Sequence, residues 1–322
     1  MARKPLIVIP GDDPPQCQGS PELKRLEELG DVVLYPDRPD SREEKIRRAK
    51  DAVVLINSRN AVKWPADVLQ ALPSLKMITV CGIGVDAVDL VTANAQGIII
   101  CNVPGKTAPI VAEHAVGLMF AVAKRAAFQT AAVRSGQWIR VDSLLLQGKT
   151  LGVIGTGNIG SEMARLGHAI GMKVIAWTYH PSSQRAADLG VTFVELDELL
   201  GRADVVSLHL KLTDQSRHII GKNELSIMKP GAVLINVGRG ALVDEEALAE
   251  ALMSGQLGGA GIDVFEVEPL PVGNPLRSCD QVVLTPHCAD MTPEGVELLN
   301  EGVVDNVVAF LKGEPKNIVH SS

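Results

Sequence analysis

The chain has 322 residues, about twice the ~150 usual for one domain, so two domains are expected. Hydrophobic residues at 46%, charged residues at 21% and a mean hydropathy of +0.16 exclude a polytopic membrane protein and a disordered chain. With 31 basic and 38 acidic residues the net charge is -7, which lacks the positive field a phosphate backbone needs, so no nucleic-acid partner is expected.

At the start, Arg3 and Lys4 precede an apolar run of only Leu6 to Ile9, too short for a signal-peptide core or a membrane span. A cytoplasmic protein without membrane association is expected. The five cysteines (Cys17, Cys81, Cys101, Cys279 and Cys288) are odd in number and form no CxxC pair, which predicts reduced thiols and no metal site. Short branched runs at Leu6 to Ile9, Val32 to Tyr35, Ala52 to Ile56, Met77 to Val80 and Ile98 to Cys101 predict buried parallel strands. Amphipathic segments from Pro21 to Leu29 and from Arg42 to Lys50 supply crossover helices, giving one doubly wound unit. A small-residue stretch from Pro104 to Ala127 predicts one helix leading into a second unit. There, strands are expected at Thr150 to Ile154, Lys173 to Trp177, Asp204 to Leu210, Ala232 to Val237, Ala260 to Phe265 and Gln281 to Leu284, six in all, as in a dinucleotide fold. The amphipathic tail from Pro293 to Lys312 is expected to return to the first unit, making that unit discontinuous.

The strand at Leu151 to Ile154 runs directly into Gly155-Thr-Gly157-Asn158-Ile159-Gly160 and then a helix-forming stretch, which is GxGxxG in the context it requires. The first glycine permits a tight turn, the second lets backbone approach a pyrophosphate, and the third lets helix and strand pack closely. About 20 residues further on, an acidic residue usually takes the adenosine ribose. Here the strand ends Ala176-Trp177-Thr178-Tyr179-His180, with no carboxylate. Thr178, His180 and Arg185 are compatible with a 2′-phosphate, so NAD and NADP both remain open.

Ligands of open parallel sheets bind beyond the carboxyl ends of the strands. In the second unit those positions hold Arg239, Asp263, Glu268 and His287. Alone, Arg239 is compatible with a surface ion pair and His287 with an ordinary loop histidine. Together they are what hydride transfer to a 2-oxo acid requires. A guanidinium grips the carboxylate and polarises the ketone, an imidazolium protonates the developing alkoxide, and a carboxylate orients the ring and favours its charge. In the first unit, Asn57 and Ser58 follow the third strand, and Ile83 and Gly84 follow the fourth, where backbone amides suit a carboxylate.

Seven segments carry a resemblance to the D-2-hydroxyacid dehydrogenase family: Gly82 to Asp89, Val111 to Gly117, Gly148 to Gly160, Met228 to Gly231, Asn236 to Gly240, Gly261 to Phe265 with Glu268-Pro269, and Thr285-Pro-His287. The resemblance spans nearly the whole chain. It implies an α/β fold of two doubly wound parallel-sheet domains: a Rossmann nucleotide domain over 104–287, and a flavodoxin-like substrate domain formed by 1–103 and 288–322. It also implies an NAD(P)-dependent oxidoreductase acting on a small 2-oxo or 2-hydroxy acid, assembled as a homodimer. Arg239, Glu268 and His287 would be catalytic, and Arg239 and His287 would share substrate binding with Asn57, Ser58, Ile83 and Gly84. The cofactor set would be Gly155, Gly157, Asn158, Ile159, Gly160, Thr178, His209, Thr213, Val237 and Asp263, with Asp263 on the nicotinamide carboxamide. Asn57 stands where relatives often carry an arginine, which weakens the case for a phosphorylated substrate. Lys211 near the adenosine side would attract a 2′-phosphate, and Cys288-Ala-Asp290 adds a carboxylate that many relatives lack. No regulatory segment follows His320, so the feedback of long phosphoglycerate dehydrogenases is not expected. Glyoxylate or hydroxypyruvate leads as substrate; phosphoglycerate dehydrogenase activity and a nucleotide-sensing, corepressor-like binding protein are the alternatives.

Overall fold

The computed structural model describes residues 4–319, so the expectations that rest on Arg3 and His320 lie outside the described residues. Two units partition the chain, one made of Met1–Thr107 with Met291–Ser322 and the other of Ala108–Asp290. The second unit extends three residues past His287, because the amides of Cys288 and Ala289 are bound by a carboxylate of that unit, Asp263.

The first unit holds β1 (Leu6–Ile9), β2 (Asp31–Leu34), β3 (Val54–Asn57), β4 (Met77–Val80) and β5 (Ile99–Cys101), parallel throughout in the order β2-β1-β3-β4-β5. This is the flavodoxin-like order, with its switch point between β1 and β3. Every residue of β3 and β4 is buried, as expected of a parallel sheet covered on both faces. The helix Pro293–Leu311 comes back from the far end of the sequence and sets Leu299, Val303, Val304 and Val307 into the cluster of Ile7, Ile9, Ile56 and Met77. The unit is therefore discontinuous, as the tail's amphipathic pattern implies. At Gly302 an added Cβ would sit 2.4 Å from Val103 Cγ1, so only glycine lets the helix lie this close.

The second unit holds β6 (Thr150–Ile154), β7 (Lys173–Trp177), β8 (Thr192–Phe193), β9 (Val205–Leu208), β10 (Ala232–Asn236), β11 (Leu257–Ile262) and β12 (Val282–Leu284). They form one parallel sheet in the order β12-β11-β10-β9-β6-β7-β8, a Rossmann arrangement with one further strand. Three expectations need correction. The sheet has seven strands, because β8 is two residues long and leaves no readable alternation. β11 begins at Leu257 and ends at Ile262, so Asp263 to Phe265 lie beyond it. Its glycines resemble a turn but serve packing: a Cβ at Gly259 would lie 2.5 Å from Val122, and one at Gly261 would lie 2.9 Å from Leu118. Finally, the helix expected from Pro104 to Ala127 is Ala108–Ala123, separated from Ala126–Arg134 by Arg125 in the left-handed conformation at φ 53. Neither glycine nor proline marks that break. Among the described residues no single helix is long and apolar enough to cross a membrane.

Gly302→Leu is expected to destabilise the protein by about 1–3 kcal/mol through overpacking against Val103. Denaturant unfolding checks this, and an unchanged midpoint would show that the helix does not need the close approach.

Candidate active site

The loop after β6 has the form a dinucleotide needs. Gly155 has φ 93, and a Cβ at Gly160 would lie 1.8 Å from the Gly155 carbonyl oxygen, so both positions exclude side chains. Gly157 caps the twelve-residue helix Asn158–Ala169 and has open space where a Cβ would stand. The exposed Asn158 and half-buried Ile159 begin that helix, whose free amides and dipole favour a pyrophosphate. Buried polar atoms without a protein partner include Thr156 Oγ1 in the loop, His209 Nδ1 beside it after β9, and Tyr179 Oη two residues beyond β7. Burial pushes the His209 pKa down to about 3, so its ring is neutral, with Nε2 2.9 Å from Ser207 Oγ. Such orphaned groups call for a bound partner. An open helix N-terminus beside them fits NAD(P). Thr178 is half-buried and Val237 is buried, while Thr213 is engaged in a turn with Ser216, whose hydroxyl accepts from its amide at 2.8 Å.

Beyond β10, the Asn236 side chain folds over the next turn, donating to the Arg239 carbonyl at 2.9 Å and accepting from the Gly238 amide at 3.0 Å. This fixes the backbone from which Arg239 projects; one of its guanidinium nitrogens donates to the Gly238 carbonyl at 2.7 Å. At Gly240 a Cβ would lie 1.9 Å from the Phe265 carbonyl carbon, so glycine there lets the turn after Asp263 close against the arginine turn. Within the closed turn, Glu268 Oε1 accepts from the Phe265 amide at 3.0 Å and Oε2 lies 2.8 Å from His287 Nδ1.

His287 has φ 52, a costly conformation for a residue with a side chain. It is held there by Asp263. The His287 amide donates to the Asp263 carbonyl at 2.7 Å, and the Asp263 carboxylate accepts from Thr285 Oγ1 at 2.6 Å, Cys288 N at 3.0 Å and Ala289 N at 3.1 Å. His114 Nε2 lies 3.1 Å from Thr285 Oγ1 and 3.5 Å from Asp263 Oδ1. Asp263 is fully buried. Burial works against its charge, but the donors from His114, Thr285 and Cys288 outweigh it and hold the carboxyl below its ordinary range. Within the protein, this carboxylate clamps the loop that carries His287. His114, Asp263 and Cys288 bring nitrogen, oxygen and sulfur atoms within 4.8 Å of one another, but the Asp263 oxygens are already taken by the chain.

The Glu268 carboxylate on Nδ1 raises the His287 pKa above the ordinary 6.5, against burial and the Arg239 charge. For Glu268, burial favours the neutral acid, but the His287 hydrogen bond outweighs it and lowers the pKa. Both directions favour the imidazolium–carboxylate form of the pair, in which Nδ1 is engaged by Glu268 and Nε2 carries the second ring proton.

In the first unit, Asn57 and Ser58 are buried and turned inward. Asn57 donates to the Val62 carbonyl at 3.0 Å, and the Ser58 hydroxyl donates to Asp12 at 2.8 Å. The Asp12 carboxylate also accepts from the amides of Gln16, Cys17 and Gln18, tying the loops after β1 and β3 together. Asn57 and Ser58 thus shape the loop rather than present their side chains, contrary to expectation. Ile83 and Gly84 are half-buried, and their carbonyls accept from Asn102 at 2.7 Å and Asn60 at 3.0 Å.

Residues 116–289 match the sequence model of the D-isomer specific 2-hydroxyacid dehydrogenase NAD binding domain. The hydroxypyruvate reductase of Thermotoga maritima is 44% identical over 252 residues, covering 76% of this chain and 81% of that protein. The chain belongs to the D-2-hydroxyacid dehydrogenases. Its chemistry is therefore NAD(P)-linked oxidoreduction of 2-hydroxy acids. The D-3-phosphoglycerate dehydrogenase of Methanocaldococcus jannaschii is 39% identical over 302 residues; the match covers 92% of this chain but only 57% of that protein, little more than half its length. A crystal structure of a glyoxylate reductase from Paecilomyes thermophila superposes with a TM-score of 0.90 at 32% identity, covering 99% of each chain.

In the dehydrogenase, Glu268→Gln should remove the interaction that raises the His287 pKa. With His287 as the acid in reduction, wild-type rates should fall as pH rises through that raised pKa. In the variant the fall should begin at lower pH. A pH profile of kcat/KM checks this, and an unmoved descending limb would show that Glu268 does not govern His287.

Proposed function

We propose that this dehydrogenase reduces small 2-oxo acids, glyoxylate or hydroxypyruvate first among them, to the D-2-hydroxy acids. The observation that carries this reading is the 2.8 Å His287–Glu268 pair, placed on strand ends of the same sheet edge as Arg239. When bound at the Gly155–Gly160 loop, NAD(P)H supplies the hydride. Arg239 pairs with the substrate carboxylate and polarises the ketone oxygen. His287 gives its Nε2 proton to that oxygen as negative charge develops there, and Glu268 stabilises the imidazolium beforehand. In oxidation the neutral ring takes the proton back.

Glyoxylate and hydroxypyruvate reductases among the relatives support the substrate class. The chain from Thr178 to Ala187 offers no carboxylate to repel a 2′-phosphate, which supports use of both NADH and NADPH. All five cysteines are free thiols, in keeping with a reducing cytoplasm. Val133, Trp138, Ile139 and Leu145 are exposed along one stretch of the second unit, with Trp138 at 79%, and suit burial by a second copy in a homodimer.

The test is consumption of NADH and NADPH with glyoxylate, hydroxypyruvate, phosphohydroxypyruvate and pyruvate, in the wild type and in Arg239→Ala and His287→Ala. Wild-type turnover is expected with the first two acids, and each variant should lose at least ~100-fold while still binding coenzyme. Wild-type-like turnover in either variant would refute the catalytic roles of Arg239 and His287. Silence on every acid with coenzyme binding intact would favour a nucleotide-sensing binding protein.

A further inference from the structure

Three acidic residues stand together where the helix Glu245–Met253 begins, and their surroundings differ. Asp244 caps the helix by accepting from the Ala247 amide at 3.0 Å, and Glu246 is exposed. Both are ordinary for a helix N-terminus. Glu245 is not, since it is only 9% exposed. A carboxylate this enclosed requires donors, and both of its donors come from one loop. Oε1 accepts from the Glu266 amide at 2.7 Å, and Oε2 accepts from Asn274 Nδ2 at 2.5 Å.

That loop carries Glu268. Its first end is fixed again one residue earlier, where the Phe265 amide donates to Glu268 Oε1, and the other oxygen of Glu268 meets His287. Its second end is fixed by Asn274, whose Oδ1 accepts from the Leu276 amide at 3.0 Å. The Glu266 side chain faces outward to His218 Nε2 at 3.0 Å. Without Glu245, the stretch from Glu266 to Asn274 would keep no carboxylate joining its two ends.

We propose that Glu245 is a positioning residue for the acid/base pair, closing the loop that holds Glu268 against His287. The inference rests on the proposed reading of that pair. Both Glu245 oxygens are taken up by the loop, so its effect on His287 runs through Glu268. The charged groups that face His287 are Glu268, Arg239 and Asp263, and of these only Glu268 lies on the loop that Glu245 closes.

The donor and acceptor of the Glu245–Asn274 bond can be exchanged without changing its length. Glu245→Gln alone sets an amide NH2 against the Asn274 NH2, and Asn274→Asp alone sets two carboxylates face to face. The double variant Glu245→Gln/Asn274→Asp restores one donor and one acceptor, keeps an oxygen for the Glu266 amide, and retains a side chain able to cap the Leu276 amide. Each single variant should lower kcat/KM for reduction by ~10-fold, mainly through kcat, and move the descending pH limb down by about half a unit. The double variant should recover both, with NADH affinity unchanged throughout. Losses that follow the thermal midpoint while the pH limb stays in place, or a double variant no better than the singles, would overturn the proposal. Glu268→Gln is run alongside. If it moves the limb and the Glu245 variants do not, only the positioning role fails. If Glu268→Gln leaves the limb in place, the reading of the pair fails and the inference with it.

Discussion

A carboxylate with no access to water must be met by protein donors, and Asp263 is met by a hydroxyl and two backbone amides on the segment from Thr285 to Ala289. The rest of the site depends on this clamp. It holds His287 in a left-handed conformation that a free loop would avoid, and so fixes where Nδ1 meets Glu268. Leaving any one of these buried groups unpaired costs about 1–3 kcal/mol. The geometry of the His287–Glu268 pair is therefore backed by several independent penalties against distortion.

The same economy of space governs the sheet edge that carries these groups. β11 lies beneath the helix Ala108–Ala123 because Gly259 and Gly261 leave room for Val122 and Leu118, which brings Asp263 to the end of a strand flanked by β10 and β12. Gly240 then allows the Phe265 turn to close against the turn of Arg239. Arg239, Glu268 and His287, which follow three successive strands, come together because glycine stands at the points of closest approach. In the same unit, the buried atoms Thr156 Oγ1, Tyr179 Oη and His209 Nδ1 have no partner within the protein, the state a ligand-binding surface leaves before its ligand arrives.

Much of this was legible in the chain itself. The strand, glycine loop and helix from Thr150 to Ala169 follow from local pattern, since a buried run, a turn and an amphipathic helix each need only neighbouring residues. The strand-end rule points to Arg239, Glu268 and His287, and the structure joins the last two in a hydrogen-bonded pair near the Arg239 charge. What local pattern missed depends on distant partners. Arg125 breaks a helix with no glycine or proline to announce it, and β8 is two residues held by pairing with β7. Asn57 and Ser58 looked like ligand contacts because polar residues follow a strand, yet Val62 and Asp12 claim them. Glu245 was hidden by its setting, one acid among three at a helix start, where solvent exposure is the ordinary state. Only the placement of Glu266 and Asn274 beside it reveals a different task.

The Glu268 carboxylate raises the pKa of His287 above that of a free imidazole, and the acid role proposed for His287 draws on that effect. Observing the His287 ring carbons by NMR across a pH titration of the whole protein measures it directly, with His287→Asn to assign the signal. The predicted midpoint lies above the ordinary value of 6.5. A midpoint at or below 6.5 would show that burial and Arg239 prevail over Glu268, and would contradict the assignment of His287 as the acid that Glu268 keeps protonated.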